Sequence, residues 1–186
     1  MPDTPVLLVM DVQSGIVDRF ASDDGYLDRL SGAITAARAA KVPVVYVAIR
    51  FRPGHPEVSP RNRTFAAAAA AGGFVDGTPG TEIHPAVAPA PDDPVVIKRR
   101  VSAFTGSDLE VLLRGLGADT LVLTGIATSG VVLSTLRQAA DLDYRLIVLS
   151  DGCLDQDEEV HRVLTEKVFP RQAEVITAAE WAARLG

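Results

Sequence analysis

Cysteine occurs once in the 186 residues, as Cys153, so no disulfide can close within the chain and nothing argues for an oxidising compartment. Lysine and arginine, 18 together, fall short of the 24 aspartates and glutamates, leaving a net charge of −6. Nucleic acid and anionic membrane surfaces are met through basic faces that release counterions or pair with phosphate, so neither is an expected partner. No apolar run approaches the ~20 residues of a membrane span. The leading Met1-Pro2-Asp3-Thr4-Pro5 has no cationic segment and the apolar run after it is too short for a signal peptide, so a cytoplasmic protein is the expectation. The three histidines, His55, His84 and His161, stand far apart without ligand spacing; neither a metal nor another cofactor is expected.

What the chain does have is 47% hydrophobic residues and 23% charged ones, a composition that excludes disorder and fits one compact domain over 1–186. Apolar runs at 6–10, 43–49, 94–97, 119–124, 144–149 and 173–176 are unbroken by polar alternation, the mark of strands covered on both faces. Between them Leu27, Leu30, Ile34 and Ala37 share a helical face, as do Leu109, Leu112, Leu113 and Leu116, then Val132, Leu133, Leu136 and Ala139, then Val160, Val163 and Leu164. Ser107 to Glu110 and Thr177 to Glu180 have the spacing of capping boxes, and Gly115 and Gly117 suit a helix stop. Strands alternating with helices give right-handed βαβ units, hence a three-layer α/β/α sandwich on a mostly parallel, Rossmann-like sheet of about six strands. Residues 50–93 break the rhythm with proline, glycine and alanine, and read as a segment covering the C-terminal edge of the sheet. Ala66–Ala71 within it reads either as a helix turn or as low complexity.

Three strand ends carry chemistry. Asp11 closes Leu7-Leu8-Val9-Met10, where partial desolvation would raise its pKa into the range of a general acid or base; as an isolated residue it could equally cap the next helix. Lys98 closes Val95-Val96-Ile97 and is followed by Arg99 and Arg100, which read as surface charge. The turn Gly125-Ile126-Ala127-Thr128-Ser129-Gly130-Val131 follows Leu121-Val122-Leu123 and offers backbone N–H groups at a helix start, a site for an oxyanion or carboxylate. In an open α/β sheet, ligands bind at these ends. Arg50, at the end of the second run, could fork onto a substrate carboxylate or merely offset the acidic surface. Phe104 and Phe51 are candidates for an apolar wall, although most aromatics are core.

The segments MDVQSGI, VVIKRRVSAF and GIATSGVV, in this order, resemble the motifs of the isochorismatase-like family of cysteine hydrolases, and the resemblance runs from the first strand to the last helix. It implies that Asp11 and Lys98 form a catalytic pair, that Gln13 supports the loop, and that the Ile126-Ala127 peptide is cis and helps shape an oxyanion hole. Counting along the third motif puts Val131 in the slot of the family's nucleophilic cysteine. Thr128, Ser129 and Gly130 belong to the same substrate-binding turn, where the two hydroxyls either orient a ligand or cap the helix. Cys153 falls where relatives carry a cysteine that is not the nucleophile. The nicotinamidase branch binds metal through an Asp-x-His pair, and Arg50-Phe51-Arg52-Pro53-Gly54-His55 lacks its carboxylate.

The resemblance further implies a homodimer or higher homo-oligomer. Isochorismatases proper manage without the cysteine: their aspartate protonates a vinyl ether carbon and water completes the cleavage to pyruvate. A small-molecule hydrolase working in that way, through Asp11 and Lys98 on an anionic metabolite, is therefore expected here. The alternatives are an inactive relative that binds a metabolite or partner protein, and an amidase whose nucleophile has moved to Cys153 or a serine.

Overall fold

The computed structural model describes residues 4–20 and 25–186. Six strands, β1 (Pro5–Met10), β2 (Val44–Ile49), β3 (Val95–Lys98), β4 (Thr120–Ile126), β5 (Arg145–Leu154) and β6 (Glu174–Ile176), form one sheet in the order β3-β2-β1-β4-β5-β6. Every pairing is parallel. Alternate residues of β1 explain why its run is apolar throughout: Leu7 and Val9 enter the core on one face, Val6, Leu8 and Met10 the core on the other.

The first core is closed by α2 (Tyr26–Ala39), through Leu30 and Ile34, and by α7 (Ala178–Leu185), through Trp181. The second is closed by α4 (Leu109–Gly115) and α5 (Leu133–Asp141), through Leu109, Leu113, Leu136 and Ala139. The sandwich expected from the sequence is thus present, with shorter helices α1 (Ser14–Val17), α3 (Arg63–Ala70) and α6 (Glu158–Val163) at its rim. Thr177 and Glu180 form the expected reciprocal cap on α7. Ser107 and Glu110 do not form one on α4: Asp108 is the capping residue, and the Ser107 hydroxyl is spent on Ala103 O and on the Leu109 N–H. Another departure is α6, which buries no side chain and leaves Val160 37% exposed, because it lies at the rim rather than over the sheet.

Residues 50–93 do cover the C-terminal edge. Their one α-helix is α3, which includes most of the alanine stretch and is started by Asn62, whose side chain accepts from Phe65 N–H. A main-chain bond from Phe51 N–H to Phe74 O (2.7 Å) ties the segment to itself, and bonds from Ser14 N–H to Glu82 O (2.9 Å) and from His84 N–H to Val12 O (2.9 Å) stitch it down. His84 is structural, accepting from Ala86 N–H at the start of a short turn.

The strand order reverses between β1 and β4. The crossovers leave that point in opposite directions and open a crevice at the strands' C-terminal ends. Met10 and Gly125 are in register there, and only glycine fits at 125: a Cβ would lie 2.2 Å from Met10 O, at a φ of +140°.

Candidate active site

The chain turns at the end of β1 through Asp11, which has φ +57°, a conformation that aspartate tolerates better than most side chains. Its N–H is held by Val47 O at 2.8 Å, so the carboxyl is fixed where β1 and β4 part. Lys98, the last residue of β3, is in register with Ile49 and reaches across β2 to Asp11, placing Nζ 2.8 Å from Oδ2. The two side chains are 3% and 7% exposed, so this is a buried pair.

The ammonium also donates to Arg100 O (3.0 Å) and Val101 O (3.1 Å), because the chain after β3 curls back around it. Its three protons therefore have three acceptors. Asp11 is less completely satisfied: Oδ1 is buried and makes no hydrogen bond. Burial pushes its pKa up, and the nearby Lys98, which pulls the other way, does not cancel the effect. A carboxyl held by one oxygen, with the other unpartnered, is equipped to carry and deliver a proton.

A cavity of about 270 Å³ opens on this pair. Ile49 and Val101 line it from the strand ends, and Ile16 and Phe20 from α1 and the residues after it. Phe65 and Phe74 of the covering segment close it from above, while Ile126, Ala127, Gly130 and Val131 form the opposite wall. The Ile126–Ala127 peptide is cis, as the motif resemblance implies. Beyond it, Thr128–Val132 makes one wide π-type turn that delivers the chain into α5 and turns the Val131 side chain inward, where it is 2% exposed.

The family model for the isochorismatase domain matches residues 5–180, from β1 into α7. The chain belongs to the isochorismatase family. The uncharacterized isochorismatase family protein YecD of Escherichia coli O157:H7 is 32% identical, over 95% of this chain and 94% of YecD. Ureidoacrylate amidohydrolase RutB of Methylobacterium radiotolerans is 34% identical, over 87% of this chain and 71% of RutB. Among solved structures, a cysteine hydrolase from Pseudomonas syringae pv. phaseolicola superposes with a TM-score of 0.91 over 98% of this chain and 92% of its own; at 24% identity that is a likeness of fold.

In this isochorismatase-family hydrolase the residues singled out from sequence divide into two groups. Asp11, Lys98, Ile126, Ala127, Gly130 and Val131 all border the cavity. Gln13 does not; it is a fully buried clamp that donates to Ile49 O (3.1 Å) and Thr81 O (2.7 Å) and accepts from Ile49 N–H (2.9 Å). Thr128 also lies behind the wall, its hydroxyl 2.8 Å from His161 Nδ1, and Ser129 N–H donates to Asp155 at 2.7 Å. That Ser129 donor, which the sequence offered to a ligand, is already occupied.

Two of the candidate residues stand away from the cavity. Arg50 is not among the residues lining the cavity; its guanidinium pairs with Asp76 and Glu82 of the covering segment (3.3 and 3.4 Å), because a strand-end arginine reaches sideways along the rim as easily as inward. Phe104 lies in the second core beside Tyr144, ring centroids 6.2 Å apart, and does not reach the cavity, since the chain that wraps Lys98 dives beneath the sheet edge. Phe51 is core as well, edge-on to Phe65.

Cys153 is buried on β5 opposite Gly125; its Sγ donates to Leu123 O at 3.8 Å and burial pushes its thiol up to about 12. Among the described residues, no thiol, serine or histidine lines the cavity. Nothing in the sequence pointed to Arg19, which lines the cavity with its guanidinium 5.9 Å from the Phe74 ring. It sits two short turns past Asp11 in a stretch without hydrophobic periodicity, and its partner ring comes from the covering segment.

Proposed function

We propose that this hydrolase works without a cysteine nucleophile, with Asp11 as proton donor and Lys98 as its electrostatic partner, on a small anionic metabolite, and that its reaction is vinyl ether cleavage of the isochorismate type. The observation that carries this reading is the unpartnered Oδ1 of a buried carboxyl with a raised pKa, in a cavity where Val131 presents a methyl-bearing wall. In that reaction Oδ1–H gives its proton to the terminal vinyl carbon, leaving an oxocarbenium ion. Water adds to the cationic carbon, returns a proton to Asp11, and the hemiketal collapses to an alcohol and a ketone. Lys98 holds Oδ2 and contributes its field; with three acceptors in place it is not needed as a donor to substrate.

The similarity to an enzyme named as an amidohydrolase supports a second reading, in which ionised Asp11 activates water against an amide. The two differ in sign on the pH axis. A proton donor works in its protonated form, so kcat/KM falls as pH rises through the raised pKa of Asp11; a base works ionised, so the rate falls as pH drops through it. Assaying enol-pyruvyl ethers and ureido and carbamoyl amides against pH separates them. For the donor, turnover in D2O places one deuterium in the methyl group of the keto acid. Asp11→Asn should lose about 10²–10⁴-fold in rate together with the pH limb. Wild-type turnover in that variant removes the reading, and silence towards every compound alongside measurable binding favours an inactive metabolite-binding relative. The assembly we propose is a homodimer or larger, expected to scatter light as at least twice the mass of one chain.

A further inference from the structure

Three charged side chains border the cavity, and two of them are already committed to each other. Lys98 has an acceptor for each ammonium proton, so a substrate anion that bonded to it would first have to displace Asp11 or a main-chain carbonyl. Arg19 is in a different condition. It is exposed at the mouth, its guanidinium lies over the Phe74 ring, and among the described residues it forms no ion pair. Three other arginines of this edge are engaged, Arg50 with Asp76 and Glu82, and Arg52 and Arg99 with Glu57, and none of the three lines the cavity. A guanidinium whose one contact is a ring face 5.9 Å away keeps its N–H groups uncommitted, and their planar fork matches a carboxylate.

Between Arg19 and the Asp11–Lys98 pair the walls are hydrocarbon, chiefly Ile16, Phe20, Phe65, Phe74, Ile126 and Val131. The volume equals about nine waters at their share of the liquid. We infer that Arg19 receives a carboxylate of the substrate, so that the molecule taken into this cavity is a small monocarboxylate with an apolar body and not a dicarboxylate or a sugar-like polyol. Among the described residues that line the cavity, a second carboxylate would find no cation left unpaired, and each buried hydroxyl without a partner costs free energy. The inference rests on the cavity being the reaction chamber, and it names the class of molecule rather than the reaction.

Calorimetry with small probe pairs tests it on the intact protein, without need of turnover. Benzoate and benzamide, and crotonate and crotonamide, differ in charge and hardly in shape, and phthalate adds the second carboxylate. The wild-type protein should prefer each carboxylate to its amide by at least tenfold and bind phthalate no tighter than benzoate. Arg19→Gln should erase that preference while leaving the amides' affinity unchanged, and Arg19→Lys, which keeps the charge and loses the fork, should fall between. An equal loss for carboxylates and amides in Arg19→Gln would mean that the side chain is only wall, and would overturn the inference. So would a preference that survives the substitution, tighter binding of phthalate, or no saturable binding of any carboxylate. Because nothing here requires product, discrimination by Arg19 with no turnover refutes only the reaction, whereas an Asp11-dependent reaction with no discrimination by Arg19 refutes only this.

Discussion

Lys98 brings one buried charge and Asp11 the other, and neither is easily spared. Removing one member of a buried pair strands its partner, at a cost of about 3–5 kcal/mol. Lys98→Met should therefore lower the urea unfolding free energy by roughly that amount, and adding Asp11→Asn to it should recover part of the loss, because the stranded carboxyl is gone. The raised pKa of Asp11 has a defined sign in stability. The folded chain holds that proton more tightly than the unfolded chain, so the contribution is complete below the ordinary carboxylate range and is lost as pH rises through the raised value. Cys153 is the contrasting case. With its thiol buried and pushed up to about 12, it should resist iodoacetamide in the native protein, while Val131→Cys should gain one label per chain at the cavity wall, read by intact mass. Asp11 and Lys98 were legible in the sequence as charges that end apolar strands, and the motifs around them were what favoured a site over a helix cap or a surface charge. Arg50 satisfies the same rule, yet turns to Asp76 and Glu82, and the carboxylates that claim it are 26 and 32 positions away with no pattern linking them.

The elements themselves were the most legible part of the fold, since strands covered on both faces cannot hide their hydrophobicity and each apolar run became a strand to within a few residues. Helix ends were less so: Thr177 and Ser107 offer similar spacing, but only Thr177 has an extended backbone at the cap, with φ −83° and ψ 161°, that aims its hydroxyl at the third N–H. The π-type turn after β4 has no composition signal at all, being fixed by how Ala127 O is shared between the N–H groups of Gly130 and Val132. Close approach of β1 and β4 is the interaction on which the crevice depends, and it is concentrated at one position. Gly125→Ala has to push a methyl group through Met10 O, so we expect a loss of stability of at least about 2 kcal/mol, measured by denaturant unfolding, together with loss of the activity proposed for Asp11 next door.

Across the whole molecule, the covering segment is the part whose position the sequence could place but whose attachment it could not. Its main-chain bonds run to Val12 and Gln13 after β1 and to Ser14 of α1, through groups that any residue carries. Side chains add to them: Gln13 joins Ile49 to Thr81, Arg38 and Tyr46 reach Ala88, and Arg99 and Arg100 hold Glu57. Gln13→Leu keeps the volume and removes those bonds; amide exchange of residues 75–87 should speed up, read by mass spectrometry, with β4 and β5 unchanged. Left intact, this seam has a bearing on traffic. The hood is held at this hem and again where Arg99 and Arg100 grip Glu57, which leaves Arg19, Phe20 and Thr64 as the lip of the cavity that meets solvent. A blind sac filled and emptied through the same lip suits a reaction that cuts its guest into two shorter fragments, each able to back out by the way it came, better than one that would splice guests into something longer than the sac.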